Sequence, residues 1–240
     1  LVVAPDFAEP LAEHRLQQRR RVDDVDGVGA GQAHPAKRGR AESEAAELFD
    51  VPLDRIDPER VRALPIGALK GRARELEEFG YDGLLTAETA HDPFLPLAVA
   101  AMNTERIELG TGIAVAFART PMVTAYTAND LQRASKGRFI LGLGSQIKPH
   151  IEKRFSMPWS HPAARMREYI LALRAIWGAW NDGEKLDFRG EFYQHHLMTP
   201  FFAPAPHTFG APKVFLAAVG EKMTEAAGEV ADGILIHGFT

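Results

Sequence analysis

No cysteine occurs in the 240 residues, which excludes a disulfide framework, a thiolate nucleophile and a cysteine-ligated zinc, and fits a cytoplasmic protein. No window approaches the roughly 18 consecutive apolar residues of a membrane span, and the amino terminus lacks the apolar core of a signal peptide. Charge of one sign is also lacking. Against 32 acidic residues stand 28 basic ones, a formal net charge of -4, so no field gathers nucleic acid or an anionic membrane. A small molecule is the expected ligand, and a second copy of the chain the expected macromolecular partner. With 45% hydrophobic residues the chain can bury a sizeable core, as one large α/β domain better than as two small ones.

What is present is a pattern that returns. Phe79-Gly80-Tyr81-Asp82-Gly83-Leu84-Leu85 reappears as Glu229-Val230-Ala231-Asp232-Gly233-Ile234-Leu235, each a helix end, a turn and an apolar strand. Between them, Ser135-Lys136-Gly137-Arg138-Phe139-Ile140 again stops a helix at glycine and begins an apolar run. This is the joint of a βα repeat. Periodicity predicts a helix over 64–79, then strand 84–87, helix 93–103, strand 106–115, helix 121–134, strand 138–143, helix 162–180, strand 213–217, helix 221–230 and strand 233–237. Asp92-Pro93 and Thr120-Pro121 are each an N-cap followed by proline at the first helical position. Met166, Ile170, Leu173, Trp177 and Trp180 mark one face of the longest helix.

Phe139-Ile140-Leu141 and Val214-Phe215-Leu216 are apolar without alternation, so the sheet is expected to be parallel and covered on both faces. Residues 181–212 interrupt the repeat with a small hairpin and a run through Pro200, Pro204, Pro206 and Pro212, a length often found in lids. Residues 1–46, with Gln17-Gln18-Arg19-Arg20-Arg21 and little apolar periodicity, read as a disordered or foreign leader, and Leu48 to Pro52 as a weak strand. A closed barrel requires eight strands and about 250 residues. The sheet is therefore either open or that of a barrel lacking its last two βα units.

In both architectures ligands bind beyond the carboxyl ends of the strands. The residues there are Glu88, Thr89, His91 and Asp92; Gly112 and Ile113; Ser145, Gln146 and His150; Val219, Gly220, Glu221 and Lys222; and His237. Glu88, His91 and His150 supply a carboxylate and imidazoles for general acid or base work; the alternative pairs Glu88 with a basic neighbour and leaves the histidines on the surface. From Ala217 to Met223 a strand passes through Gly220 into a helix, so free amides and Lys222 face one point, as a phosphate cradle does. Equally, Gly220 only makes a turn and Lys222 is solvated. Gly142-Leu143-Gly144 opens like a dinucleotide loop but has Ile147 at its third glycine position, and Ser145 is not in a nucleophile elbow. Gly110 and Gly112 inside a strand mark a bulge or a close approach to ligand. His161 reads as a helix-start residue, and His195-His196 have the wrong spacing for two ligands on one helix face. No metal site is indicated.

Taken in order, Gly80-Tyr81-Asp82-Gly83-Leu84 with Thr86-Ala87-Glu88, Arg106 to Ile113, Arg138 to Ser145 and Ala217-Ala218-Val219-Gly220 closely resemble the luciferase-like monooxygenase superfamily over roughly residues 64–240. Within it the match is to the branch that uses the deazaflavin coenzyme F-420. The resemblance implies a TIM (β/α)8 barrel with an insertion after strand four, the place of 181–212, here truncated at its carboxyl end and occupying 47–240. It also implies a bulge with a non-prolyl cis peptide in the third strand, at Gly112-Ile113. Carried over, Glu88 and Thr89 lie near the coenzyme ring, Ser145 and His150 near the ring or its side chain, and Val219, Gly220 and Lys222 near the phosphate. The related glucose-6-phosphate dehydrogenases have an Asp-His pair where Glu88-Thr89 stand. The implied activity is hydride transfer between F-420 and a small organic substrate. The alternatives are an FMN-dependent monooxygenase using reduced flavin and oxygen, and an inactive barrel fragment that only binds.

Overall fold

The computed structural model describes residues 66 and 69–236 and, as backbone, 2–4. Apart from 2–4, the leader over 1–46 lies outside the described residues, as do the weak strand at 48–52, the start of the helix at 64 and His237. The elements are strand β1 (Val2–Ala4), helix α1 (Leu69–Glu78), β2 (Gly83–Thr86), α2 (Phe94–Ala101), β3 (Glu108–Thr111), β4 (Ala114–Val115), α3 (Pro121–Ala134), β5 (Phe139–Gly144), α4 (Pro162–Asn181), β6 (Phe188–Arg189), β7 (Gln194–His195), β8 (Lys213–Ala217), α5 (Glu221–Val230) and β9 (Gly233–Leu235). Strands and helices alternate where the hydrophobic periods place them.

The main sheet runs β1-β2-β3-β5-β8-β9, with β4 also on β5. From β2 to β9 every pairing is parallel. The edge strand β1 departs from the all-parallel expectation: it lies antiparallel on β2, Val2 against Leu85 and Ala4 against Gly83. Three residues carry no usable periodicity, so neither this strand nor its direction is readable from the chain. Among the described residues the sheet is open, with β1 and β9 at its edges, and no closed barrel is formed.

Local chemistry explains the boundaries. Asp92 Oδ1 accepts from the amides of Phe94 at 2.8 Å and Leu95 at 3.0 Å, satisfying first-turn donors that α2 would otherwise leave bare. Thr120 accepts from Val123, and Pro121 opens α3. Gly80 and Gly137 have φ of +85° and +90°, the left-handed conformation in which glycine ends a helix without a Cβ penalty. Gly83 and Gly233 each open a strand, so the two copies of the repeat begin their strands alike, although the second helix runs on to Val230, the counterpart of Gly80. The core between sheet and helices holds Leu84, Leu109, Leu141, Leu143, Val214 and Leu216 from the strands, and Leu97, Tyr169, Leu173 and Trp177 from the helices.

Glu77, near the end of α1, ties that helix to the start of β3. Its carboxylate accepts from the backbone amides of Glu105 at 2.9 Å, Arg106 at 2.5 Å and Ile107 at 2.9 Å. Burial acts to raise its pKa, but these amides and the Arg106 charge outweigh it and hold the carboxyl below its ordinary value. The folded value thus lies under the unfolded one, so the stabilisation is present above the ordinary carboxylate range and is lost as pH falls through the folded value. Glu77→Ala is expected to cost about 1 kcal/mol at pH 7, discounted for solvent screening. Thermal melts of the two forms should converge as the solution is acidified; a gap that persists undiminished in acid would refute the assignment.

The segment between α4 and β8 contains the expected hairpin, with Phe188 opposite His195 and Arg189 opposite Gln194. Glu168 of α4 holds its turn through the amides of Glu191, Phe192 and Tyr193 at 2.9, 2.7 and 2.6 Å. The proline-rich remainder is a strap rather than a lid. Met198 receives Trp180 Nε1, Tyr126 donates to the Phe202 carbonyl, Asn129 meets His207, and Gln132 donates to the carbonyls of Phe209 and Gly210. Apart from that of Trp180 on α4, these contacts descend α3 from Tyr126 to Gln132, away from the carboxyl ends of the strands. Buried polar side chains on α3 hold it there, and such partners are invisible in a proline count.

Candidate functional site

Because β2, β3, β4, β5 and β8 are parallel, their carboxyl ends share one rim. The single strand expected over 106–115 is in fact two, β3 and β4, separated by Gly112-Ile113, whose peptide bond is cis. β3 pairs with both β2 and β5, whereas β4 pairs only with β5, Ala114 against Leu143 and Val115 against Gly144.

Glycines make room for this offset. A Cβ on Gly110 would lie 2.7 Å from Leu85 Cδ2 and 3.1 Å from the Ile140 carbonyl oxygen; one on Gly144 would lie 2.7 Å from Ile113 Cδ1. One on Gly142 would run into the Thr111 carbonyl, and Thr111 Oγ1 donates to the Gly142 carbonyl at 2.6 Å. Of the two readings of glycine in strand three, Gly110 serves close strand packing. The Gly142-Leu143-Gly144 run likewise accommodates Thr111 and Ile113 and belongs to no dinucleotide loop.

Glu88 sits just past β2 and is engaged on both oxygens. Arg119 forks onto it, Nη1 to Oε2 at 2.6 Å and Nη2 to Oε1 at 2.9 Å, and the Val115 amide donates to Oε2 at 2.7 Å. Its side chain is 7% exposed. The pairing alternative for Glu88 therefore describes the geometry, and a freely available base does not. Arg119 was not among the residues singled out from the sequence. Its signal was present: the only basic residue between the bulge and α3, directly before Thr120-Pro121.

His91 and His150 are both exposed on the loops after β2 and β5. His150 begins a short π-helical turn, His150–Arg154, a feature frequent at functional sites. From that turn Arg154 donates to the Thr89 carbonyl at 2.7 Å, so the loops after β2 and β5 are joined across the rim. Ser145, half-buried at the end of β5, donates to the Gln146 carbonyl at 3.0 Å. Val219, Gly220 and Lys222 are exposed, Val219 at 63%. Gly220 has φ +83°, open space where a Cβ would stand, and no side chain capping α5 behind it. First-turn amides of a ten-residue helix thus face an unobstructed point. Among the described residues no group of three or more His, Asp or Glu side chains could hold a metal ion, and no helix is long and apolar enough to cross a membrane.

An α/β protein whose parallel strands alternate with helices, and whose polar residues lie at the carboxyl ends of those strands, is a βα repeat protein of the kind that includes the open and closed βα folds. More particularly, the chain belongs to the luciferase-like monooxygenase family, whose model matches residues 48–240. An uncharacterised protein of Mycobacterium tuberculosis is 67% identical over 162 residues, 68% of this chain and 48% of that protein. The 5,10-methylenetetrahydromethanopterin reductase of Methanolobus tindarius is 32% identical over 177 residues, 72% of this chain and 51% of the reductase. The chain spans about half the length of these relatives. In structure it resembles the coenzyme F-420-dependent tetrahydromethanopterin reductase of Methanopyrus kandleri, with a TM-score of 0.61 and 21% identity over 73% of this chain and 53% of that one, which shows the fold.

Proposed function

We propose that the chain carries the coenzyme-binding face of an oxidoreductase that exchanges a hydride between coenzyme F-420 and a small organic substrate. The observation that carries this is the broken third strand. Regular β2–β3 pairing ends at Thr86 and Thr111, two further backbone bonds reach Gly112 and Ile113, and β4 then pairs with β5, so half-buried Gly112 and Ile113 form a shelf at the rim where a flat ring can lie. The 33% identity over 168 residues to a putative coenzyme F-420-dependent oxidoreductase of Mycobacterium tuberculosis supports the deazaflavin.

The residues present fit such a group. Gly220 offers open space and a bare helix start to an anionic phosphate, the arrangement that binds phosphate elsewhere, and Lys222 adds a positive charge in the first turn. Ser145 and Thr89 lie on the two loops that flank the shelf. When bound, the coenzyme supplies hydride donation or acceptance at C5 of its ring. His91 and His150, exposed on those loops, are the side chains placed to give or take a proton at the substrate.

Fluorescence titration with F-420 and, in parallel, with FMN tests the reading. F-420 is expected to bind in preference, and Lys222→Ala to weaken it about tenfold, the worth of one charge-assisted contact. Preferential binding of FMN would replace the reading by an oxygen-using monooxygenase, and binding of neither would leave a barrel segment without coenzyme.

A further inference from the structure

We infer that Glu88 and Arg119 are positioning residues that take the place of a missing strand beside β4 and so set the shelf at Gly112-Ile113; this rests on the coenzyme reading above. β2 ends at Thr86, paired with Thr111. Beyond it the backbone makes two more bonds across the break, Gly112 N to the Thr86 carbonyl at 2.7 Å and Glu88 N to the Ile113 carbonyl at 3.1 Å. One side of β4 is then satisfied by β5, and among the described residues no strand pairs on the other side.

Side chains complete the ladder there. Val115 gives its amide to Glu88 Oε2 at 2.7 Å and its carbonyl accepts from Arg119 Nη1 at 2.9 Å. Thus one residue of β4 has its donor and its acceptor bracketed by an ion pair whose own members are joined bidentately. Arg119 is 17% exposed, lies 5.2 Å over the Phe94 ring, and reaches Asp92 Oδ2 at 3.5 Å. Asp92 in turn holds the start of α2. The loop after β2, the first turn of α2 and the strand after the bulge are therefore locked to one guanidinium.

A buried ion pair is weak evidence for stability, since apolar residues of the same volume do as well or better; what it specifies is geometry. Here the specified geometry is the distance between the end of β2 and the strand that leaves Gly112-Ile113. Lysine at 119 keeps the charge but offers one point in place of a fork, so it cannot engage both Glu88 oxygens while also holding the Val115 carbonyl, as Nη1 and Nη2 of Arg119 do together.

The test uses Arg119→Lys and the double variant Glu88→Gln/Arg119→Met, which leaves no unpaired buried charge. Thermal melts are recorded first. F-420 and a deazaflavin ring fragment lacking the phosphate are then titrated into each folded variant and into Lys222→Ala. The variants of the pair are expected to lose about tenfold in affinity for both ligands by the same factor, as a misplaced shelf would, whereas Lys222→Ala loses affinity for F-420 alone. Unchanged ring-fragment affinity in a folded pair variant overturns the inference and leaves the coenzyme reading standing. A loss confined to F-420 overturns it too, because the pair would then act at the phosphate. Failure of both pair variants to melt cooperatively assigns the pair to the fold and also overturns it. Binding of neither ligand by the unaltered chain sinks the coenzyme reading, and the inference with it.

Discussion

Gly142→Ala is expected to destabilise the chain by about 3 kcal/mol or more, the upper end of what overpacking costs. The methyl would occupy the place of the Thr111 carbonyl and stand 2.9 Å from Leu235 Cδ1. A side chain can be displaced by rotating it, but this obstacle is backbone, and Thr111 is held on both sides, pairing with Thr86 of β2 and donating through Oγ1 to the Gly142 carbonyl. The sheet must open between β3 and β5 for the methyl to fit. At about 2–4 °C per kcal/mol for a chain of this size, the melting temperature should fall by roughly 6–12 °C. Coenzyme affinity should fall with it, since Thr111 is the residue before the Gly112-Ile113 shelf. Gly228→Ala is the control: it lies within α5 with open space around it, and alanine there should add about 0.5–1 kcal/mol. If Gly142→Ala melted within a degree or two of the unaltered chain, the close approach of β3 and β5 would be wrong.

Trp177→Ala is expected to cost about 3–5 kcal/mol, the usual loss for emptying a buried aromatic site, which is a large share of the 5–15 kcal/mol that holds a typical domain folded. Trp177 is 1% exposed and its indole donates to the Ala125 carbonyl of α3 at 3.3 Å. It is thus both the filling and a polar tie between α3 and α4. Trp177→Phe keeps most of the volume and drops the tie, and should lose only about a third to a half as much. Denaturant melts separate the two variants. Equal losses would mean that the hydrogen bond dominates and that the cavity collapses at no cost.

How much of this was legible beforehand differs from element to element. α3 begins at Pro121 and ends at Ala134, as its Thr-Pro start and its apolar period require, because caps and one-face burial are local properties. β5, β8 and α5 are equally plain. The sequence pattern of 106–115 describes one strand because hydrophobicity does not record a change of pairing partner; Gly110 and Gly112 signal an irregularity without saying whether ligand or neighbouring strand fills the space. The 181–212 segment looked like a lid because proline-rich length is all the chain shows, whereas Asn129, Gln132 and Tyr126, buried or half-buried polar residues on α3, tie it down.

The same division holds at the site. By itself the sequence determined that the chain is a βα repeat, that its polar residues gather after the strands, and that Gly110 and Gly112 mark an irregularity in the third strand, since each follows from composition and spacing within a few residues; the place of the break, Gly112-Ile113, followed from the family resemblance. Only the tertiary structure decided that Glu88 is spent on Arg119 and Val115, and that Gly142 is reserved for the Thr111 carbonyl. Both are contacts between residues some thirty positions apart, and their geometry exists only once the parallel strands have been brought into register.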